Sequence, residues 1–417
     1  MINYLDALKH IHQAAKPLGD ETLALNQAIN KVSASAVFSS IEVPSFNNSA
    51  MDGFALRASD IQAIPNDNPV ELQVVGQIKA GDSMICTKQK IQNTACAIMT
   101  GAVLPQDYDA VVRVEDVVQN HTDGHSTIAT KKQLKRGDNV RYAGEDFSIG
   151  DVIINSGELI KPAQIMALAT IGATEVRVKK TPEVSLFCTG DELLENGSPT
   201  LSDAKIFNSS GPYISSLLPY FNCQLSRYNA VTDNKNNFIN QLKQQLESSS
   251  PPDIILTTGG VSAGNFDFIP CALKELGASI IFHKAAIRPG KPILFAKINN
   301  SYVVGLPGNP ISTAVGLRFF LYPLLRKLSM MPAEQPFQAA LANPVTTNAT
   351  LRYFYKAAIH TNDSGLLVVD VLSGQESFKV KPLLKANCWA VIKEGRSSYA
   401  AGEIIDVFPL YPDPNRS

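Results

Sequence analysis

The chain has 417 residues, of which 45% are apolar and 18% are charged, and its formal net charge is -1 at pH 7. This is the composition of a globular protein with enough apolar side chains for a sizeable core, and the length predicts about two to four domains. The balanced charge gives no indication of a nucleic-acid partner or of binding to an anionic membrane. No stretch reaches the roughly 20 apolar residues of a membrane-spanning helix, and the N-terminus lacks the continuous apolar core of a signal peptide.

The cysteines are scattered along the chain, and no C-x-x-C pair occurs. This spacing argues against a zinc site or a disulfide framework. Free, dispersed cysteines are typical of a protein that works in a reducing compartment, so we expect a cytoplasmic location.

The sequence pattern of the first half of the chain changes twice. Residues 1–41 show apolar residues at helical spacing and are predicted to be helical. Over residues 42–146, short runs such as ELQVVGQI and DAVVRVEDV are separated by Gly, Asp, Asn and Pro, which predicts a β-rich segment. A helix is predicted again over residues 160–172, with proline in its first turn and glycine at its end.

The second half alternates strands and helices before it becomes all-β. Between residues 181 and 329, apolar strands such as DIILTT and SYVVGL alternate with amphipathic helices. This alternation, with strands of buried type, predicts a largely parallel, doubly wound α/β sheet. After residue 330, runs such as LLVVDVL and CWAVI predict a small all-β domain. The predicted fold is therefore a multidomain α/β protein.

Three predicted strands of the α/β sheet end in polar, glycine-containing loops: CTGDEL (188–193), TTGGVSAGNFD (257–267) and GLPGNPIS (305–312). Ligands of open parallel sheets bind beyond the carboxyl ends of the strands, where backbone N-H groups are available. Neither G-x-x-x-x-G-K-[ST] nor G-x-G-x-x-G occurs, so a Walker NTPase and a standard dinucleotide site are not supported. Each loop alone could be a ligand-free turn, but three on one sheet favour a binding site.

A basic turn lies between two of these loops. KAAIRPGKPILF (284–295) places Lys284, Arg288 and Lys291 around a rigid proline-glycine turn. Two cations on such a turn can clamp an oxyanion, and the alternative is a solvated basic turn. In the β-rich segment, NNSAMDGFAL, IMTGAVLP and VRYAGED carry polar residues in turns, where turn chemistry alone is the alternative explanation.

Seven motifs occur in a fixed order along the chain: NNSAMDGFA, IMTGAVLP, VRYAGED, CTGDEL, TTGGVSAGNFD, RPGKP and GLPGNPIS. Their order and spacing resemble those of MoeA-type molybdopterin molybdenumtransferases, the family that includes the E domains of gephyrin and of plant Cnx proteins. The resemblance covers essentially the whole chain. It implies an enzyme that takes adenylylated molybdopterin and molybdate, and that releases AMP with a divalent ion such as Mg²⁺ to yield molybdenum cofactor.

The resemblance also implies an elongated homodimer in which each active site lies between the α/β domain of one subunit and the β-rich domain of the other. A MogA-type adenylyltransferase and molybdoenzyme-delivery proteins are the implied partners. The implied domains are a helical/linker domain I (1–41 and 147–180), a β-rich domain II (42–146), a MogA-like α/β domain III that binds molybdopterin (181–329) and a C-terminal β-barrel domain IV (330–417).

Site residues follow from positions that match the family motifs. Acids beside anionic substrates make chemical sense if a hard cation bridges them, and Mg²⁺ prefers carboxylate, phosphate and water oxygens. The resemblance assigns catalysis to Asp52, Thr100, Asp146, Glu192, Asp233 and Asp267, and metal binding to Glu192, Asp233 and Asp267. Substrate binding, including the molybdate pocket, is assigned to Arg141, Thr189, Gly259, Gly260, Ser262, Lys284, Arg288, Lys291, Pro292, Gly308, Asn309, Ser312, Arg352 and Ser377.

The chain departs from the family pattern at a few positions. Arg288 stands where the family usually has lysine, which keeps the charge but replaces a point donor by a planar fork. VTDN (231–234) has one acid where a pair is common, and LRYFYK around Arg352 is less rich in arginine than the family's version. None of these departures removes a group that the implied chemistry needs.

Two other functions fit parts of the sequence. One is a molybdopterin adenylyltransferase, because the α/β domain alone resembles MogA-type proteins, although those proteins lack the N-terminal and β-rich segments. The other is a non-catalytic carrier or scaffold for the cofactor, and the retained acids Asp233 and Asp267 argue against it. No Ser/His or Cys/His pair is placed for a covalent intermediate, so positioning and metal activation are the expected means of catalysis.

Overall fold

A computed structural model describes residues 1–62, 68–82, 92–122, 124–195, 197, 203–262 and 268–412. The chain forms two units, each with its own internal contacts. The multidomain α/β fold predicted from the sequence is confirmed. The larger unit comprises Met1–Ser35, Ser156–Lys161 and Glu175–Ser417, and the smaller unit comprises Ala36–Asn155 and Pro162–Thr174.

The centre of the larger unit is a six-stranded, largely parallel sheet, which we call the central sheet. Along one of its inner strands, Ile254 and Leu256 belong to one hydrophobic core and Ile255 belongs to a second core. A strand that is buried on both faces is typical of parallel sheets covered by helices. The order across the sheet is Gln224–Val231, Glu183–Thr189, Ile254–Thr258, Ser301–Leu306, Leu294–Ile298 and Ser279–His283, and Leu294–Ile298 runs antiparallel to both of its neighbours.

Helices contribute side chains to both cores of the central sheet, as expected for a doubly wound fold. The last helix of this domain is long, and a π-helical segment, Leu317–Leu321, divides it into Pro310–Gly316 and Tyr322–Leu328. One core takes residues from Tyr4–Ala14, Ser210–Leu217, Pro310–Gly316 and Tyr322–Leu328, and the other takes residues from Lys235–Leu246 and Ile269–Glu275.

The helical prediction for residues 1–41 is wrong beyond Ala14. Asp20–Ala24 is instead a strand that pairs antiparallel with Glu175–Lys179. Helical periodicity in a single sequence could not reveal this pairing, because the partner strand lies about 150 residues away and local propensity is a weak guide when tertiary contacts decide. A short 3₁₀ turn, Leu25–Gln27, follows the strand.

The C-terminal residues form a closed five-stranded barrel, which confirms the predicted all-β domain. On its outer face, Phe354 and Trp389 pack against Phe319 of the π-helical segment. The short strand Ile287–Arg288 joins the barrel by parallel pairing with Arg352 and Tyr353. Around the barrel the strands are Phe337–Leu341, Leu367–Val371, Arg352–Thr361, Cys388–Ile392 and Ile404–Pro409, which returns to Phe337–Leu341.

The smaller unit is built on a second six-stranded sheet, as predicted for the β-rich segment. Gly53 is required there, since a Cβ atom at this position would lie 1.9 Å from the carbonyl oxygen of Val112. The predicted helix over 160–172 is present as Pro162–Thr170. The sheet order is Ala110–Arg113, Gly53–Leu56, Thr94–Ile98, Val70–Ile78, His125–Thr130 and Val118–Thr122, with Ala58–Ile61 as a further short helix.

Several two- and three-residue strands complete the secondary structure. In the smaller unit, Asn48–Ser49 pairs with Val140–Arg141, and Val37–Phe38 pairs with Val152–Ile154. Among the described residues, no helix combines the length and the apolar character that crossing a bilayer requires. The remaining pairs, in the larger unit, are Leu193–Leu194 with Ile206–Phe207 and Val345–Thr346 with Ser398–Tyr399.

Candidate functional site

The three predicted loops meet at the carboxyl edge of the central sheet. The Thr189 hydroxyl donates a hydrogen bond to the carbonyl oxygen of Thr258 at 3.0 Å. The Gly259 amide donates to the carbonyl oxygen of Leu306, also at 3.0 Å. Gly308 lies close to Gly259, because a Cβ atom on Gly308 would be 3.7 Å from the Cα atom of Gly259. The structure therefore brings Thr189, Gly259 and Gly308 together, as the sequence predicted.

Backbone geometry explains the two glycines of the middle loop. Gly259 and Gly260 have φ angles of +82° and +64°, in a region of backbone conformation that residues with a side chain rarely adopt. A Cβ atom on Gly259 would lie 2.7 Å from the carbonyl oxygen of Thr189. The pair therefore lets the loops that carry Thr189 and Gly259 approach each other closely. Ser262 follows as an exposed residue, and Asp267 lies outside the described residues.

Two carboxylates at this edge each accept a hydrogen bond from the backbone amide of the other residue. The Asp233 amide donates to Oδ1 of Asp191 at 3.1 Å, and the Asp191 amide donates to Oδ2 of Asp233 at 3.4 Å. Glu192, the next residue in the loop, is exposed. Nζ of Lys205 donates a hydrogen bond to the carbonyl oxygen of Asp191 and so helps to hold the loop. These contacts place a concentration of negative charge beside the glycine loop.

The basic turn lies next to the start of the long helix. The Ala285 amide donates to the carbonyl oxygen of Lys291 at 3.0 Å, which closes the turn. A Cβ atom on Gly290 would lie 3.5 Å from the carbonyl oxygen of Ser312. Arg288 and Lys291 are exposed, and neither forms an ion pair with an acid of the described residues. Their charges are therefore available to an anionic ligand.

The other predicted residues of this region fall into place around the turn. Lys284 precedes it with a φ of +73°, and its amide donates to the carbonyl oxygen of Ile293. Pro292 is partly buried directly after Lys291. Asn309 stands at the N-cap position of the helix that begins at Pro310, but its side chain makes no capping hydrogen bond. Backbone N-H groups at such a helix start can bind anions.

A loop of the barrel reaches the same helix start. The Ile311 amide donates to the carbonyl oxygen of Ser377 at 3.0 Å, which places Ser377 one residue from the buried Ser312. Lys356, on the outer face of the barrel, holds this loop, because its Nζ donates to the carbonyl oxygens of Gly374 at 2.8 Å and Lys379 at 2.9 Å. Burial lowers the pKa of Lys356.

Arg352 has partners of its own. Its Nε donates to Glu394 at 2.7 Å, and its guanidinium group lies 4.7 Å from the ring centroid of Tyr4. Its backbone is paired with Ile287, close to the basic turn, but its buried side chain is already neutralised. The assignment of Arg352 to molybdate binding stays a prediction, and these contacts do not favour it.

The predicted residues of the β-rich segment lie in the smaller unit. Oδ1 of Asp52 accepts hydrogen bonds from the backbone amide of Thr100 at 2.7 Å and from its hydroxyl group at 2.9 Å. These two bonds lower the pKa of Asp52. Arg141 is exposed and lies in the strand pair with Asn48. The Asp146 amide donates to the carbonyl oxygen of Val43. Asp52 and Thr100 thus form one preorganised pair.

The Asp52–Thr100 pair gives a pH-dependent prediction. Because the folded pKa of Asp52 is below its unfolded value of about 4, the hydrogen bonds stabilise the folded protein above that pH and the contribution is lost as the pH falls. Thr100→Val removes the hydroxyl donor and keeps the amide donor, so we expect the pKa of Asp52 to rise partway. An NMR titration of the Asp52 carboxyl carbon measures this. Thr100→Ser should leave the pKa unchanged, and an unchanged pKa in Thr100→Val would contradict the role of the hydroxyl group.

Among the described residues, no group of three or more His, Cys, Asp or Glu side chains is arranged to hold a metal ion by itself. Asp191 and Asp233 nevertheless supply adjacent carboxylates. Mg²⁺ is usually bound in proteins by one or two carboxylates together with substrate phosphates and water, rather than by a complete protein cage. The donor set at the sheet edge fits this mode of binding.

Comparison with known proteins identifies the family of this chain. The family profile described as "MoeA N-terminal region (domain I and II)" matches residues 2–172, "Probable molybdopterin binding domain" matches 185–327, and "MoeA C-terminal region (domain IV)" matches 338–410. The molybdopterin molybdenumtransferase of Synechococcus elongatus is 36% identical over 399 residues, which cover 95% of this chain and 96% of that protein. The chain belongs to the MoeA family.

Further MoeA-type proteins agree with this assignment. The molybdopterin molybdenumtransferase of Haemophilus influenzae is 34% identical over 405 residues, 96% of each protein. A solved structure of the molybdopterin biosynthesis MoeA protein from Pyrococcus horikosii matches with a TM-score of 0.82 at 26% identity, covering 98% of this chain and 99% of that one. The resemblance drawn from the seven motifs is confirmed.

Two residues of this MoeA-family chain had not been assigned a role from the sequence. Asp191 was visible in the motif CTGDEL, but only the structure shows its carboxylate beside Asp233. Lys356 stands in an apolar strand, where a charged residue is unusual and could have signalled a buried partner. Its fully buried amine supports the loop of Ser377.

Proposed function

We propose that this protein is a molybdopterin molybdenumtransferase that inserts molybdate into adenylylated molybdopterin and releases AMP. The observation that carries the proposal is the meeting of the glycine loop, the paired carboxylates of Asp191 and Asp233, and the unpaired cations of the basic turn, all in the larger unit. Amides, hydroxyl groups and cations suit oxyanions, and acids nearby suit a phosphate that carries a divalent ion.

The basic turn and the two serines are suited to molybdate. Arg288 and Lys291 supply charge, and the backbones of Ser312 and Ser377, whose side chains carry hydroxyl groups, lie at the helix start beside them. A tetrahedral oxyanion accepts hydrogen bonds in several directions, so a combination of cations and hydroxyl donors matches its chemistry. We assign this corner to the incoming molybdate and the glycine loop to the pterin phosphate.

The acids are suited to Mg²⁺ in company with the substrate phosphate. Asp191, Glu192 and Asp233 would hold the ion, and Asp267 is assigned to it by the family resemblance. A bound Mg²⁺ neutralises charge that develops on the phosphate and orients it. The protein's own contribution is to fix the carboxylates through the reciprocal amide bonds of Asp191 and Asp233.

We further propose a homodimer in which the Asp52–Thr100 pair of one subunit completes the site of the other. The family resemblance supports this arrangement, together with Arg141 and Asp146 from the same unit. A MogA-type adenylyltransferase that supplies the substrate, and proteins that deliver the cofactor to molybdoenzymes, are the partners that this reaction requires. We place the reaction in the cytoplasm.

Release of AMP tests the proposed function. The purified protein is incubated with adenylylated molybdopterin, molybdate and Mg²⁺, and AMP and molybdenum cofactor are quantified. We expect AMP release to depend on both molybdate and Mg²⁺, and Lys291→Gln to raise the molybdate concentration needed for half-maximal rate by about tenfold, because one charge-assisted contact is lost. Lys9→Gln, an exposed change on the N-terminal helix, should have no effect.

Two outcomes would contradict the proposal in different ways. Consumption of ATP with molybdopterin in the absence of molybdate would identify an adenylyltransferase. Binding of molybdopterin without any AMP release would identify a carrier or scaffold.

A further inference from the structure

A large cavity lies in the larger unit, away from the loops of the central sheet. It has a volume of about 620 Å³, within the range of about 300–1,000 Å³ that is usual for sites of small organic ligands. Its lining comes from the N-terminal helix, the second half of the long helix, residues 331–336 and the outer face of the barrel. Of the predicted site residues that the structure describes, Arg352 alone lines it. The cavity is therefore not explained by the proposed reaction.

Much of the cavity wall is aromatic or otherwise apolar. The rings of Tyr4, Phe354 and Phe408 line it, and Leu5 stands exposed on the N-terminal helix at its border. Aromatic rings and proline offer flat apolar surface on which a planar ligand can stack. This wall predicts a ligand whose body is apolar and planar.

The charged lining residues are mostly basic, but most of them are neutralised. Nη1 and Nη2 of Arg318 each donate to Glu334 at 2.7 Å, and Lys393 pairs with Asp406 at 2.7 Å. Arg352 pairs with Glu394, as described above. After these pairs are removed, the cations that line the cavity without an acid partner in the described part of the chain are Arg326 and Lys327.

Arg326 carries an unsatisfied donor. The residue is only 3% exposed, and its Nε and Nη1 donate to the carbonyl oxygen of Pro332 at 2.6 Å and to the hydroxyl group of Tyr322 at 3.0 Å. Its Nη2 has no acceptor among the described residues. A buried guanidinium group without a counter-ion is costly, and such groups normally have one. The described residues supply no counter-ion for Arg326, so an anionic ligand would complete its bonding.

We propose that this cavity binds a small organic anion. An oxyanion group, carboxylate or phosphoryl, lies at Arg326 and Lys327, and the apolar body of the ligand lies against Tyr4, Phe354 and Phe408. Burial and the neighbouring Lys327 lower the pKa of His12, which therefore lines this end of the cavity as a neutral donor or acceptor near pH 7. The site is independent of the proposed transferase reaction.

Calorimetric titration with phenyl phosphate tests the proposal, with benzoate as the carboxylate arm. We expect saturable binding with one site per chain, whereas benzyl alcohol lacks the charge and inorganic phosphate lacks the ring, so both should bind at least about tenfold more weakly. Arg326 itself is left intact, because its bonds to Pro332 and Tyr322 support the fold.

Exposed positions supply the variants. Lys327→Gln removes one cation, and Leu5→Glu introduces a repelling charge at the border, so each should weaken phenyl phosphate binding by about tenfold or more. Lys9→Gln is the matched control, since Lys9 is exposed on the same helix but does not line the cavity. Lys291→Gln tests whether phenyl phosphate binds at the basic turn instead of the cavity. We expect this variant to leave the affinity for phenyl phosphate unchanged. No saturable binding, or equal affinity in Lys327→Gln, Leu5→Glu and Lys9→Gln, would overturn the proposal.

Discussion

Replacing Asp233 with asparagine is expected to lower the rate of AMP release about a hundredfold, the upper range for loss of a group that supports a metal ion. The carboxylate of Asp233 accepts the Asp191 amide, and the carboxylate of Asp191 accepts the Asp233 amide. Asparagine keeps the shape and one acceptor, but it removes the negative charge that attracts Mg²⁺. The rate should therefore recover in part at high Mg²⁺, and titration of Mg²⁺ at saturating substrate measures this.

An exposed carboxylate that pairs with a residue near Asp233 provides the control. Glu275 is exposed and pairs with Lys235, two residues after Asp233, at 2.8 Å. Glu275→Gln removes the same charge from the same unit but not from the sheet edge, so its rate and Mg²⁺ dependence should equal those of the unchanged protein. Asp233→Asn with an unchanged rate at low Mg²⁺ would exclude Asp233 from metal binding.

Replacing Glu334 with glutamine is expected to lower the free energy of unfolding of the larger unit by about 3–5 kcal/mol, the usual cost of removing one partner from a buried ion pair. Glu334 accepts two hydrogen bonds from Arg318, which is only 2% exposed. The rings of Phe319 and Tyr322 lie 5.5 and 5.2 Å from the guanidinium group, so little water can replace the lost carboxylate. Denaturant unfolding followed by circular dichroism measures the change.

A surface pair is the natural comparison for this substitution. Nζ of Lys243 lies 3.9 Å from Oε1 of Glu247, and both side chains are largely exposed. Glu247→Gln should therefore change the free energy of unfolding by less than about 0.5 kcal/mol. Replacing Arg318 and Glu334 together with apolar residues of similar volume should recover most of the loss, because no buried charge then remains unpaired. Equal effects of Glu334→Gln and Glu247→Gln would contradict the importance of the buried pair.

Much of the fold and part of the site could be predicted from the sequence. The strand Ile254–Thr258 is a short apolar run that ends in glycines, and both its burial and its loop follow from that local pattern. Parallel strands present their carboxyl ends at one edge, so Thr189, Gly259 and Gly308 could be placed near each other from the sequence alone. The order of the seven motifs along the chain then identified the family.

Long-range contacts could not be predicted in the same way. The strand Asp20–Ala24 forms only because Glu175–Lys179 is available to pair with it. Arg352 looked like a free cation in LRYFYK, whereas its partner Glu394 is 42 residues away in sequence. Lys356 was assigned no role from the sequence, and its amine is bonded to carbonyl groups of a loop about 20 residues away. The identity of such charge partners is set by tertiary packing, which the local sequence does not specify.

The barrel loop that carries Ser377 has a consequence for how such proteins diverge. The carbonyl group of Ser377 accepts the Ile311 amide, and Lys356 anchors the loop from the outer face of the barrel. The strand Ile287–Arg288 is likewise hydrogen-bonded to the barrel rather than to the central sheet. A barrel exchanged alone between two relatives would leave these backbone groups without their partners. The barrel, the basic turn and the start of the long helix are therefore expected to be inherited as one block.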